Sequence, residues 1–148
     1  MGFDIMWKGG ITQNVTFTNT NIENTQQKSR QTSNSKSITS TLSYVKRGGF
    51  RLPLWFLKNK QLNNEVRISN TFAYNKRVSF NYNTTLEIPE KKKTDEATIW
   101  SVEPRIDYSF TSRLTGGMFF KYESNKSLIA GKITRILAGI NVNISIGT

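Results

Sequence analysis

Residues 65–88, EVRISNTFAYNKRVSFNYNTTLEI, decide the fold because polar and apolar side chains alternate along them without a break. Nine of the twelve even positions are apolar or aromatic, and eleven of the twelve odd positions are polar. A β-strand sends successive side chains to opposite faces, so this pattern predicts a strand with two unlike surroundings. The alternation continues through residues 75–77, which favours one very long strand; a hairpin that turns there is the alternative.

The same alternation recurs in shorter segments on both sides of this stretch. Residues 98–110 are the clearest case, with Trp100, Val102 and Ile106 on one face and Glu103 and Arg105 on the other. No segment has the periodicity of a helix of normal length, so the fold class is predicted to be all-β. The predicted strands are residues 10–19, 37–46, 64–88, 97–110, 114–124 and 133–147.

The segments between these strands predict how they are connected. Residues 19–36 are rich in Asn, Thr, Gln and Ser without a pattern, and we interpret them as a long polar loop. Residues 89–97 and 124–132 are predicted to be two more long connections, whereas residues 111–113 form a short turn. Long loops that alternate with short turns are typical of outer-membrane barrels. The aromatic and basic connector, residues 47–63, departs from that rule.

The composition excludes several kinds of chemistry. The 148 residues include no cysteine and no histidine, so disulfides, Cys/His zinc sites and thiol catalysis are excluded. There is no run of 18 apolar residues, so no transmembrane helix is predicted. The first residues lack the apolar segment of a signal peptide. We therefore expect either a cytoplasmic protein or a piece of a longer chain.

No catalytic group is indicated by the acidic residues. Glu103 and Asp107 share the polar face of one predicted strand, but their Cα atoms would lie about 13 Å apart, too far for a carboxylate dyad. Arg105 lies between them, which favours a ladder of charges. No glycine-rich phosphate loop follows a strand. We therefore predict a protein that is not an enzyme and that binds no cofactor and no metal.

The net charge of +11 raises nucleic acid and anionic membranes as partners. The basic runs 58–60 and 91–93 are not interleaved with aromatic residues, which alternate down the other face of the strands. This arrangement disfavours a base-stacking platform. We predict no nucleic acid partner and interpret these runs as solvated charges or as contacts with anionic lipid headgroups.

Alternating strands fit either a soluble sandwich with its apolar face inside or a transmembrane barrel with its apolar face in lipid. Trp100 lies near one end of its strand, and Tyr108 and Phe110 lie near the other, as in the aromatic girdles of membrane barrels. We therefore predict an antiparallel transmembrane β-barrel segment. The predicted lipid-facing residues are Trp100, Val102, Ile106, Tyr108, Phe110, Ile140, Val142 and Ile144. The predicted lumen-facing residues are Glu103, Arg105, Asp107, Arg135, Asn141 and Asn143.

Three groups of residues resemble one known family. Residues 49–56 (GFRLPLWF) followed by 63–66 (NNEV), residues 103–108 (EPRIDY) and residues 138–144 (AGINVNI) are similar, in this order, to segments near the end of the SprA (Sov) family. The resemblance covers residues 2–147. It implies a place in the outer-membrane translocon of the type 9 secretion system, which is associated with gliding motility.

The resemblance also implies that residues 1–148 are the C-terminal part of a very large barrel, with about six of its strands. The implied partners are outer-membrane lipid, secreted protein cargo and other translocon subunits, and the implied location is the cell outer membrane. The family has no catalytic residues to carry over. Two alternatives stay open: a complete small outer-membrane barrel of eight strands, and a soluble basic β-sandwich that acts as a binding or adhesion module.

Overall fold

The computed structural model describes residues 1–26, 29–48, 50–51, 61–62, 64–83 and 90–145. The described residues contain no helix that is long and apolar enough to cross a membrane. Their regular structure consists of β-strands. The strands are β1 (Gly2–Trp7), β2 (Ile11–Gln26), β3 (Ser29–Arg47), β4 (Phe50–Arg51), β5 (Gln61–Leu62), β6 (Glu65–Asn83), β7 (Glu90–Ser109), β8 (Leu114–Ser127) and β9 (Gly131–Ile144).

Seven strands form one antiparallel sheet in the order β1-β2-β3-β6-β7-β8-β9, and β4 pairs with β5 separately. The sheet is curled into about half of a barrel, which confirms the all-β prediction. Consecutive strands of the sheet are neighbours, as expected when short turns join antiparallel strands. Among the described strands, β1 and β9 form the two open edges of the sheet.

The long strand β6 is confirmed as one continuous strand as far as Asn83. Residues 74–78 pair in unbroken register with β3 on one side and with β7 on the other. A hairpin at residues 75–77 is therefore excluded. Residues 84–88, which the prediction also assigned to this strand, lie outside the described residues, as do residues 146–147 of the predicted last strand.

The predicted long polar loop, residues 19–36, is wrong. Its two halves are the ends of β2 and β3, which pair from Gln26↔Ser29 back to Ile11↔Tyr44. Ser29 to Lys36 also pair with the far end of β6. Alternation predicts a strand only when its two faces meet unlike surroundings, and here both faces are polar, so the strands carry no such signal.

Three further boundaries also differ from the prediction. The charged segment predicted to be a turn, residues 89–96, begins β7 at Glu90, and its lysines pair with residues 80–82. The predicted connection 124–132 shortens to residues 128–130, because β8 and β9 pair as far as Ser127↔Gly131. Strand β1 was missed, although Phe3, Ile5 and Trp7 alternate with Gly2, Asp4 and Met6. Of the predicted connector 47–63, residues 49, 52–60 and 63 lie outside the described residues.

Short turns join β1 to β2, β7 to β8 and β8 to β9. Gly9 and Gly10 take positive φ values of 91° and 82° between β1 and β2, a backbone conformation that other residues rarely adopt. The Thr111 hydroxyl accepts hydrogen bonds from the backbone N–H groups of Arg113 and Leu114, at 3.1 and 3.0 Å. The Ser127 hydroxyl does the same for Ile129 and Ala130. These local hydrogen bonds satisfy backbone donors that the sheet ladder leaves free at the turns.

The register carries one face across all seven strands. Trp100 lies opposite Tyr74, Tyr74 lies opposite Ile38, and Ile38 lies opposite Phe17, so these side chains share a face. The same face continues across β8 and β9, where Met118 lies opposite Ile140. We call this the apolar face and the other one the polar face. Together the strands bring most of the large apolar side chains to one side of the sheet.

The polar face is the concave side of the sheet. Ile22 on β2 and Ile129, just after β8, line one hollow together with Ser33, Arg77 and Asp95. In a flat sheet β2 and β8 would lie about 19 Å apart, four strand spacings of about 4.8 Å. Glu65 of β6 and Asn143 of β9, three strand spacings apart, also line one hollow on this face. Hollows shared over such distances indicate that the sheet curls toward this face. The apolar face is therefore convex.

Candidate functional site

The convex face carries a continuous apolar band. In seven strand segments, most of the side chains on this face are apolar or aromatic, and the register between strands places these segments side by side. The segments are residues 3–7, 11–17, 38–44, 66–74, 100–108, 114–122 and 136–144. Four of these segments are nine residues long. At about 3.3 Å per residue they rise about 30 Å, or about 21–25 Å along a barrel axis when strands tilt by 35–45°.

Seven of the eight residues predicted to face lipid lie on this face by register, from Trp100 to Tyr108 on β7 and from Ile140 to Ile144 on β9. Phe110, just after β7, joins them because its ring contacts Tyr108 and lies over Gly116. Many side chains of the band are open to the surroundings: Ile140 is 82% exposed, and Met118 is 57% exposed. Among the described residues, only the hydrophobic side chains of Val66 and Ala97 are buried. The sheet by itself therefore has no ordinary core, and an exposed apolar surface of this size indicates contact with lipid or with more protein.

Aromatic pairs lie near the two ends of the band on β7. The rings of Trp100 and Tyr122 lie 5.1 Å apart, and those of Tyr108 and Phe110 meet edge to face at 4.8 Å. The Phe110 ring lies over Gly116, where an added Cβ would come within 2.8 Å of it. The aromatic residues at the two ends of the band, which the sequence indicated on β7 alone, therefore pack against residues of β8 as well.

The six residues predicted to face a lumen lie on the concave polar face. Arg105 donates two hydrogen bonds from Nε to the Asp107 carboxylate, at 2.9 and 3.2 Å. Asp107 lies beside Gly117 of β8, and Asn141 of β9 lies on the other side of that glycine. Glu103 is on the same face of β7, and Arg135 lies farther along β9. Of the ladder of charges predicted from the sequence, the structure shows the Arg105–Asp107 ion pair.

Glu65 and its arginine neighbours were not identified as site residues from the sequence. The Glu65 carboxylate accepts hydrogen bonds from Arg47 at 3.1 Å and from Arg67 at 3.3 Å. A shallow polar hollow is lined by Glu65, Arg67, Arg105, Asp107, Asn141 and Asn143. The sequence signal for Glu65 and Arg67 was their odd-numbered position in the alternation, which assigns them to the polar face. Pairing Arg47 with Glu65 requires the register between β3 and β6, which no local pattern contains.

Glu123 lies at the centre of a second ionic group on the concave face. Its carboxylate lies 3.5 Å from Lys121 and 3.7 Å from the predicted site residue Arg135. Most of these side chains are partly exposed, so each ion pair is expected to add little to stability, about 0–1 kcal/mol. Their effect is to present both signs of charge to the concave side.

Hydroxyl and amide groups cover most of the rest of this face. The alternate residues 33–43 of β3 are all Ser or Thr, and they bond to β6: Ser79 to Ser33 at 3.2 Å, Asn75 to Ser35 at 3.2 Å, and Thr41 with Thr71 at 3.3 Å. These groups are neutral and hydrogen-bonded to one another. On β3 and β6 the concave face is therefore mainly polar, and Val45 is its exposed large hydrophobic residue among those described.

Four strands continue beyond the apolar band. The far ends of β2, β3, β6 and β7 form an extension. Its concave side is mostly polar and includes the Arg77–Asp95 ion pair, and its convex side carries charged residues of β3 and β7 beside Val78, Phe80 and Tyr82 of β6. There Lys91 lies 4.1 Å from the centroid of the Phe80 ring, and Arg30 lies 5.8 Å from that of Tyr82. The expectation that aromatic residues lie on the other face from the basic run 91–93 is therefore wrong for Lys91 and Lys93, which lie opposite Tyr82 and Phe80. A bulge at Thr94, whose hydroxyl donates to the Ser79 carbonyl at 3.2 Å, turns Lys91 and Lys93 toward the convex side.

Glu96 joins two lysines at the base of this extension. Its carboxylate pairs with Lys93 and, at 3.1 Å, with Lys76. Hydrogen bonds from Lys93 and then from Lys76 lower the pKa of the Glu96 carboxyl below its ordinary value. This carboxylate therefore stays ionised near neutral pH and offsets part of the local positive charge.

The described residues contain no group of three or more acidic side chains placed to hold a metal ion. What they form is a surface with one apolar and one polar side, curled with its polar side inward. No protein family matches the chain, and no curated protein or solved structure is significantly similar to it. The functional interpretation therefore depends on the geometry and on the sequence motifs.

Proposed function

We propose that residues 1–148 form part of the wall of an outer-membrane β-barrel that conducts proteins, as a non-catalytic segment of a translocon similar to the SprA (Sov) family of the type 9 secretion system. The observation that carries the proposal is the direction of curvature. The convex face is apolar and the concave face is polar, the reverse of a soluble barrel or sandwich, whose enclosed face must be apolar. Lipid around the convex face and water within the concave face satisfy both surfaces.

The length of the apolar band supports a membrane environment. A strand needs about 9–11 residues to cross a bilayer, and the band uses about nine residues of strands that contain 14–20 residues. Beyond the band, the concave side of β6 and β7 is mostly polar or charged, whereas the convex side carries Lys91, Lys93 and Glu96 of β7 beside Val78, Phe80 and Tyr82 of β6. The Lys91 ammonium group lies over the Phe80 and Tyr82 rings. The length of the strands therefore agrees with a bilayer and a projecting extension.

The extent of the curl favours a large barrel over a complete small one. Seven strands complete only about half of the circle, whereas in an eight-stranded barrel they would nearly close it. The edges β1 and β9 therefore need several more strands to pair, which a longer chain would supply. The choice of a secretion translocon among large barrels depends on the motifs at residues 49–66, 103–108 and 138–144.

Site-directed labelling in the full-length protein tests the environment of the two faces. Residues 1–148 contain no cysteine, so Ile140→Cys and Asn141→Cys each introduce a single label site in this segment. We expect a fluorophore at position 140 to be quenched by brominated lipid in reconstituted vesicles and one at position 141 to be quenched by iodide. Equal quenching of both positions by iodide, without an effect of the lipid quencher, would refute the membrane assignment.

Photo-crosslinking of a stalled secretion substrate tests the conduit. A photoreactive residue at Glu103 or Asn143 on the concave face should capture the substrate in cells. The matched controls at Val102 and Val142 lie on the opposite face of the same two strands and should not. A protein whose concave positions capture no substrate, although position 140 contacts lipid, would be an outer-membrane barrel with another function.

A further inference from the structure

Four lysines border the apolar band on its convex side. Lys36 lies two residues beyond Ile38 on β3, and Lys76 lies two residues beyond Tyr74 on β6. Lys126 and Lys132 lie four residues beyond the last apolar residues of β8 and β9, Tyr122 and Ile136. All four side chains are exposed. Lys36, Lys126 and Lys132 therefore lie at the end of the apolar band on their own strands, and Lys76 separates the band from Val78, Phe80 and Tyr82 of the extension.

The register sets these lysines against one another. Lys36 is directly opposite Lys76, and Lys126 is directly opposite Lys132. Like charges that face each other across two strands destabilise a sheet. Of the four, Lys76 has a carboxylate partner, Glu96; in the described part of the chain no carboxylate lies within 4 Å of Lys36, Lys126 or Lys132. An anion supplied from outside the chain would remove this repulsion.

Two observations identify the kind of anion. Aromatic side chains lie next to the lysines on the membrane side, as Tyr74 and Trp100 do beside Lys76, and tryptophan and tyrosine favour the headgroup level of a bilayer. Lysine can also extend its ammonium group to that level along its apolar stem. An anion that meets the lysines on this surface therefore belongs to a molecule with an apolar part.

We infer that Lys36, Lys76, Lys126 and Lys132 bind the phosphate groups of anionic lipid headgroups and fix the depth at which the barrel lies in the membrane. The inference rests on the proposed membrane location and adds the partner of this surface. The opposite end of the band carries the aromatic residues Tyr108 of β7 and Phe110 just after it, together with the aliphatic Leu114 of β8. The lysine end of the band therefore lies in the leaflet that is richer in phosphate, which for an outer membrane is the lipid A leaflet.

The test measures binding of lipid A by native mass spectrometry to the full-length protein in a zwitterionic detergent. The variant K126Q/K132Q removes the lysine pair that has no carboxylate partner. The matched control K92Q/K121Q removes two lysines from the concave face, with the same change in net charge. A cation near an anionic surface contributes about 1 kcal/mol, so the loss of two lysines should weaken binding about 30-fold. The control should bind as the wild-type protein does.

Three results would overturn the inference: equal loss of binding in both variants, equal binding of a lipid A analogue without phosphates, or displacement of lipid A by millimolar inorganic phosphate. The last result would indicate a simple anion site. The label at position 140 is measured on the same preparations. If brominated lipid quenches this label and K126Q/K132Q binds lipid A as tightly as the wild-type protein does, only the lysine inference is contradicted. If brominated lipid does not quench the label, the membrane location is contradicted as well.

Discussion

Tyr74 of β6 lies directly opposite Trp100 of β7, and the pairing continues without a break as far as Ser79 and Asp95. This pairing makes β6 a single strand and so fixes the direction of the strand ends beyond the apolar band. Because β6 does not turn at Asn75, the ends of β2, β3, β6 and β7 all extend past the apolar band in the same direction.

Disulfide crosslinking checks this register. The double variant Tyr74→Cys/Trp100→Cys should crosslink on oxidation in the assembled protein, because directly opposite residues have Cα atoms about 4.5–5.5 Å apart, within disulfide range. The control Tyr74→Cys/Arg77→Cys keeps its two positions three residues apart on one strand, about 10 Å, and should stay reduced. Crosslinking of the control but not of the 74/100 pair would indicate that the chain turns at residues 75–77 and forms a hairpin.

A charge introduced on either face of β9 should have unequal effects. Ile140→Arg places a guanidinium at mid-depth on the convex face, which costs on the order of 2–4 kcal/mol against lipid. Asn141→Arg places it on the concave face near the Asp107 carboxylate, where it should be tolerated. The amount of folded full-length barrel in the outer membrane, measured by its heat-modifiable migration on gels, should fall for the first variant only. Equal yields would contradict a lipid-facing Ile140.

Phe119 and Gly139 should be coupled in stability. Phe119 is a large aromatic residue on the polar face, and its ring lies over Gly139 of β9, where an added Cβ would approach ring carbons at 2.5 and 2.7 Å. Gly139→Ala should therefore destabilise the folded protein by about 1–3 kcal/mol through overpacking. The measurement is the urea midpoint of unfolding in detergent.

The double variant Phe119→Leu/Gly139→Ala supplies the control for this pair. A smaller side chain at position 119 leaves room for the new methyl group, so the cost of Gly139→Ala should be largely lost in that background. Additive effects of the two substitutions would show that the ring does not cover Gly139 in solution.

Residues 1–148 expressed alone should aggregate. Strands β1 and β9 leave N–H and C=O groups unpaired along both edges of the sheet, and the convex face is largely apolar. Size-exclusion chromatography with light scattering should show oligomers in buffer without detergent. A monodisperse monomer with a cooperative thermal transition would instead favour the soluble β-sandwich.

The assignment of residues to faces could be predicted from the sequence because a side-chain period of two is a local property of the strand. Ile140 and Asn141 go to opposite faces in any β-structure, so the two predicted sets of residues lie on opposite faces of the sheet. The alternation also assigns Glu65 and Lys121, which were not predicted as site residues, to the polar face. It does not show which side chains on that face are in contact with each other.

The sequence by itself determined an all-β chain with one apolar and one polar face, since alternation needs nothing beyond the strand. Only the tertiary structure decided where the strands end, because residues 19–26 and 29–36 have polar surroundings on both faces and their pairing partners alone hold them extended. It also decided which face is concave and which charges meet. Lys126 lies opposite Lys132, and Arg47 opposite Glu65, through the register between strands, and hydrogen bonds between separate segments of the chain set that register.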